Sequence, residues 1–148
     1  MRTTPKIVGL LAGAAILASL AIPAMALAGS GAQKVDMLAH AFGSCASGAA
    51  GGAPVVGFAV INEDSAGNIT AEVSLKGGTP NHTYALEIVQ TPHGQGCGVP
   101  QGTLTTNGQG NGNAHLSVAA LPGTTDAFVL IQPSDSLGFI ASKDVVFN

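Results

Sequence analysis

The chain has 148 residues, of which 46% are hydrophobic and 9% charged, with two cysteines, no tryptophan and a formal net charge of −3. So few cations exclude the basic surface that nucleic acid and anionic lipid require. A chain of this length builds one hydrophobic core rather than two.

The first residues carry an export pattern. Arg2 and Lys6 place positive charge at the start, and no charged residue interrupts Ile7 to Ile22. That run falls short of the roughly 20 apolar residues a membrane span needs, and it ends at Pro23 followed by small residues. This is the layout of a secretory signal, with cleavage expected between Ala28 and Gly29 and a second candidate site after Ala24-Met25-Ala26. No cysteine follows either site, so no lipid anchor is expected. The chain then divides into residues 1–28 as signal peptide, 29–54 as a Gly/Ala-rich lead-in and 55–148 as the folded domain. The expected location is secreted or extracellular, the periplasm and cell wall included, with no membrane association after cleavage. Beyond residue 28, three lysines (Lys34, Lys76, Lys143) stand against eight acids, a formal charge of 3 − 8 = −5.

Cys45 and Cys97 are the only cysteines, and oxidising conditions outside the cytoplasm favour their pairing. A disulfide is expected.

In chain order, residues 29 to 54 are rich in Gly, Ala and Ser and read as loop, with a short amphipathic piece at Val35 to Phe42 and a loose wrap at Ser47 to Ala53. From Val55 the period is two. Val55 to Ile61 reads as a buried strand. Ile69, Ala71, Val73 and Leu75 alternate with Thr70, Glu72, Ser74 and Lys76 as a strand with one wet face. Ser65-Ala66-Gly67-Asn68 joins the two as a hairpin. Thr83 to Thr91 alternates again. Gly102 to Thr106 and Asn113 to Ala119 flank the Gly/Asn tip 107–112 as a second hairpin, and Ala127 to Gln132 and Phe139 to Phe147 complete about seven strands. This spacing predicts an all-β fold, an antiparallel immunoglobulin-like β-sandwich, with a small β-barrel as the alternative.

Leu75, Gly77, Pro80, Asn81, Thr83, Tyr84 and Leu86 resemble the L-x-G-L-x-P-N-T-x-Y-x-L stretch of fibronectin type III-like and immunoglobulin-like modules. Gly102 to Asn107 followed by Gly110-Asn111-Gly112 is similar to the hairpin that often follows it in secreted bacterial domains of this kind. The resemblance covers about 40 residues, with Gly78 where the stretch carries Leu. It implies that Tyr84 pins a corner, and that the chain is a binding, adhesive or structural module.

Site chemistry is sparse. The four histidines (His40, His82, His93, His115) lack both the Cys-His-Met set of blue copper and a His-x-His pair. Asn62 to Glu72 echoes a calcium loop, with Asn62, Asp64 and Gly67 at its first, third and sixth places, but Ala66 stands at the fifth, and Val73 at the twelfth with Glu72 one residue early. The glycine runs at 94–98 and 108–112 open no helix, as phosphate binding would require. No Gly-x-Ser-x-Gly or His-Glu-x-x-His motif appears, and the acids read as solvated singly on polar faces and turns. No cofactor, metal site or catalytic residue is expected. The leading reading is a secreted non-catalytic module that contacts a protein, a surface polymer or its own copies. A small-ligand or metal-ion binding protein is the second reading, and a secreted enzyme the third.

Overall fold

The computed structural model describes residues 31–42, 44–92, 94–132 and 137–147. The expected signal and its Ala28/Gly29 junction, together with His93 and Asp135, lie outside the described residues.

Every described element is a β-strand: β1 Gln33–Ala39, β2 Val55–Glu63, β3 Asn68–Leu75, β4 Thr83–Thr91, β5 Gly102–Thr105, β6 Gly112–Ala119, β7 Asp126–Ile131, β8 Ile140–Ser142 and β9 Val145–Val146. All ladders are antiparallel, so the expected all-β class is the observed one. The strands follow one hydrogen-bonded path, β5-β4-β7-β8-β1-β2-β3-β6, with β9 beside β7. Its two end strands meet, because Gly112 is small enough to admit the Leu104 side chain and Gly102 lies against Leu116. The result is a nearly closed sheet, the barrel-like arrangement the strand count leaves open.

Alternation dictates the interior. Ala59 and Ile61 of β2, Ile69, Ala71, Val73 and Leu75 of β3, Tyr84, Leu86 and Ile88 of β4, and Ala127, Val129 and Ile131 of β7 share one buried cluster. Removing such side chains from water contributes about 25 cal/mol per Å² of apolar surface.

The lead-in departs from expectation. Residues 33–39 form a central strand, β1, between β2 and β8. The amphipathic piece has period two, not loop character: Val35 and Met37 face the core cluster, while Lys34 and Asp36 are exposed. A register shift after Met37 bulges the β1–β2 ladder opposite Val55 to Gly57. Residues 47–53 are likewise not a loose wrap. Gly48 and Ala49 lie against the sheet, their N–H groups donating to Asp144 Oδ1 and Ser142 O at 2.8 Å each. A Cβ on Gly48 would overlap Ser142 O, so only glycine lets the backbone lie this close to the sheet.

The final predicted strand is broken. Ser142, Lys143 and Asp144 separate the β8 and β9 ladders on β7. Val129 N–H turns instead to the buried Ser142 Oγ at 2.9 Å, which satisfies a backbone donor the bulge would leave unpaired.

The two expected hairpins differ. β2 and β3 ladder together. The other two strands flank a shared tip, yet β5 ladders with β4 and β6 with β3, so the 106–111 tip closes the barrel instead of capping a hairpin. Both tips use one device. Asp64 Oδ1 accepts the N–H groups of Ala66 and Asn68 at 2.9 and 2.8 Å. Asn107 Oδ1 accepts those of Gln109 and Asn111 at 2.9 and 3.0 Å, and the fourth residue of each is a glycine at φ 77°.

Candidate functional site

The outer surface of the sheet has two unlike halves. Over β4, β7 and β8 a second apolar cluster, Leu38, Val89, Phe128, Leu130 and Ala141, lies beneath Ala49, with Ala41, Phe42, Ala53 and Cys97 packed on it. Phe42 bridges Phe128 and Phe139, with ring centroids 6.5 and 5.0 Å away. Two chain segments, the first around 41–53 and the second around 94–101, form this cap, and the Cys45–Cys97 disulfide joins them with a Cα separation of 5.8 Å. Glu87 sits fully buried below the second segment. It accepts the Gly98 N–H at 2.7 Å and a hydrogen bond from the Gln132 amide. The expectation that every acid is solvated therefore fails at Glu87, because the cap covers an otherwise polar position of β4.

Over β1, β2, β3 and β6 no such cap is present among the described residues. The outward positions are Lys34 and Asp36, Phe58 and Val60, Thr70, Glu72 and Ser74, and His115 and Ser117, aligned across the ladders. His115 Nδ1 and Glu72 Oε1 pair at 2.7 Å at the surface, both more than half exposed.

One end of this bare half is concave. A groove of about 320 Å³ is lined by Lys34, Asp36, Val55, Gly57, Phe58 and Lys76. Its shape follows from the bulge, which pushes the start of β2 out of register with β1 and leaves Val55 59% exposed. Lys34 Nζ sits 4.0 Å from the centre of the Phe58 ring, a cation–π contact. The groove's one acid, Asp36, is matched by Lys143 Nζ at 3.4 Å. Two of the three lysines beyond residue 28 thus line the groove, and the third pairs with its acid.

The candidates singled out in the sequence do not meet there. His40 follows β1 at the opposite end of that strand from Lys34, with φ 53°. His82 packs edge-on against Tyr84 at 4.8 Å, its Nε2 buried with no hydrogen-bond partner among the described residues, and His115 stands mid-strand on β6. No group of three or more His, Cys, Asp or Glu that could hold a metal ion occurs among the described residues. Asp64, the third place of the calcium echo, spends Oδ1 on the turn. Hydrogen bonds from the Asn68 backbone N–H and side-chain amide, with a lesser one from Ala66 N–H, hold its carboxyl below the ordinary 3.8 against the opposing effect of desolvation. Tyr84 Oη accepts the Thr79 N–H at 2.8 Å, a pinned corner. Gly78 donates its N–H to Gly110 O at 2.9 Å. A Cβ at Gly78 would stand 2.9 Å from Tyr84 Oη, which explains glycine where the resembled stretch carries leucine.

No protein-family model matches the chain, and no curated protein or solved structure matches it significantly.

The groove is invisible to motif reasoning, since Lys34, Phe58 and Lys76 fall in three separate strands or turns. The signal that does exist is compositional: beyond residue 28 there are three lysines, each close to the start or end of a strand.

Proposed function

We propose that the chain is an exported, non-catalytic binding module that works through the bare β1–β2–β3–β6 face. One observation carries this reading: a disulfide-joined cap seals the outer face over β4, β7 and β8, while the other half of the same sheet, among the described residues, offers an uncapped, polar face with a groove at one end. A disulfide-closed all-β body is compatible with an extracellular location. The partner belongs to the cell exterior, as a surface polymer or a protein.

The exported, disulfide-intact protein is to be assayed for saturable adsorption to peptidoglycan, to neutral and acidic polysaccharides, and for self-association. Thr70→Tyr with Ser117→Tyr fills the bare face, and Val99→Tyr marks the cap side. Adsorption to at least one probe, weakened about tenfold by the first pair and unchanged by the second, is the expected result. Adsorption that follows Val99 instead, no adsorption to any probe, or saturable turnover of a substrate would overturn the reading.

A further inference from the structure

We infer that the groove between β1 and the start of β2 takes a carboxylated sugar, a uronate unit, as its ligand. This rests on the binding-module reading and narrows it to one place and one chemistry.

Charge selects an anion. Lys34 and Lys76 line the groove, and the acid that would repel an anion, Asp36, is offset by Lys143 at 3.4 Å. The nearest other acids are already engaged: Glu72, in register with the Val60 that faces Lys34, pairs with His115 at 2.7 Å, and Asp144, next to Lys143, accepts the Gly48 N–H at 2.8 Å. Neither Lys34 nor Lys76 has a carboxylate partner among the described residues, so an anion entering the groove meets two ammonium groups not held by an ion pair.

The floor selects against a peptide. Extended peptides gain affinity by adding a strand to a free sheet edge, whereas β2 is laddered to β1 on one side and to β3 on the other. Main-chain pairing is closed off in the groove, so a ligand must be read by side chains alone. The side chains on offer are ammonium groups, the Phe58 ring and the exposed Val55. A uronate matches each: its carboxylate takes the N–H donors of Lys76 and of Lys34, which the Phe58 ring holds at the groove, and the C–H face of its ring lies on the exposed Val55. The groove volume of about 320 Å³ suits one or two sugar units and is at the lower end for small-molecule sites.

Affinity electrophoresis of the exported protein in gels containing polygalacturonate, dextran sulfate or neutral dextran tests this. Retardation by polygalacturonate, absent in neutral dextran and weakened at least about tenfold in Lys34→Gln/Lys76→Gln, is expected, with an unchanged urea midpoint showing that the variant folds. Phe58→Leu should also weaken it, without altering its salt dependence. Competition by free galacturonate would identify a single sugar acid as sufficient; competition by oligomers alone would identify the polymer, and both support the shared chemistry. Equal retardation by dextran sulfate would reduce the groove to a charge patch and overturn the sugar assignment. So would salt-sensitive self-association of the wild type that the lysine variant loses, which would make a second copy the occupant. If the lysine variant keeps an adsorption that Thr70→Tyr/Ser117→Tyr removes, the sugar-acid inference falls alone and the bare-face reading stands.

Discussion

Tyr84 shows how much one hydroxyl does in this chain. Its ring belongs to the main core and its oxygen receives the Thr79 N–H at 2.8 Å, so the corner between β3 and β4 is fixed from inside. Tyr84→Phe keeps the ring and removes the acceptor. It should lower stability by about 1 kcal/mol, read as a reduced urea midpoint with an unchanged slope. At Asp64 the observable is acidity. Its carboxyl is held below the ordinary 3.8 by Asn68 and Ala66, so its contribution is complete above about that pH and is lost as pH falls through the lower folded value. The substitution Asp64→Asn leaves a side-chain oxygen that can cap the turn as Asn107 caps the other tip, but one that does not titrate. Urea unfolding from pH 5 down to pH 2 should therefore fall less steeply in Asp64→Asn than in the wild type.

At the scale of elements, strands with an unbroken apolar period of two are readable in the sequence, whether or not their outer side is covered. β3 alternates Ile69, Ala71, Val73 and Leu75 inward, and its bounds follow from that period. β4, from Thr83 to Thr91, follows from the same alternation. β1 escapes it because its outward side changes character midway, from Lys34 and Asp36 in water to Leu38 under the cap, which breaks the polar alternation expected of a strand. The cap itself arises from contacts far apart in sequence, so no local pattern announces it. Its joint is legible as two cysteines in a chain with an export pattern. Closing a loop of 52 residues removes about 4 kcal/mol of denatured-state entropy in the chain-entropy model. Cys45→Ser/Cys97→Ser should lose up to about that much and bind a hydrophobic dye more strongly, as Phe128 and Leu130 become accessible.

For the whole molecule, the decisive feature is the division of one sheet into a sealed and a bare half. Composition foretells part of this. A net acidic chain with three lysines beyond residue 28 cannot be evenly cationic, but where the three lie depends on the bulge and on strand order. Export is tested separately: intact mass of protein recovered from outside the cell should match a chain beginning at Gly29, less two hydrogens for the bridge. β7 brings one more consequence. Asp126 to Ile131 has Ala127, Val129 and Ile131 in the barrel and Phe128 and Leu130 under the cap. These consecutive apolar residues are therefore adhesive on both sides until barrel and cap have closed over them. A newly made chain is most at risk of clumping in that interval, and an oxidant that joins the two cap segments promptly protects it as much as it strengthens the finished protein.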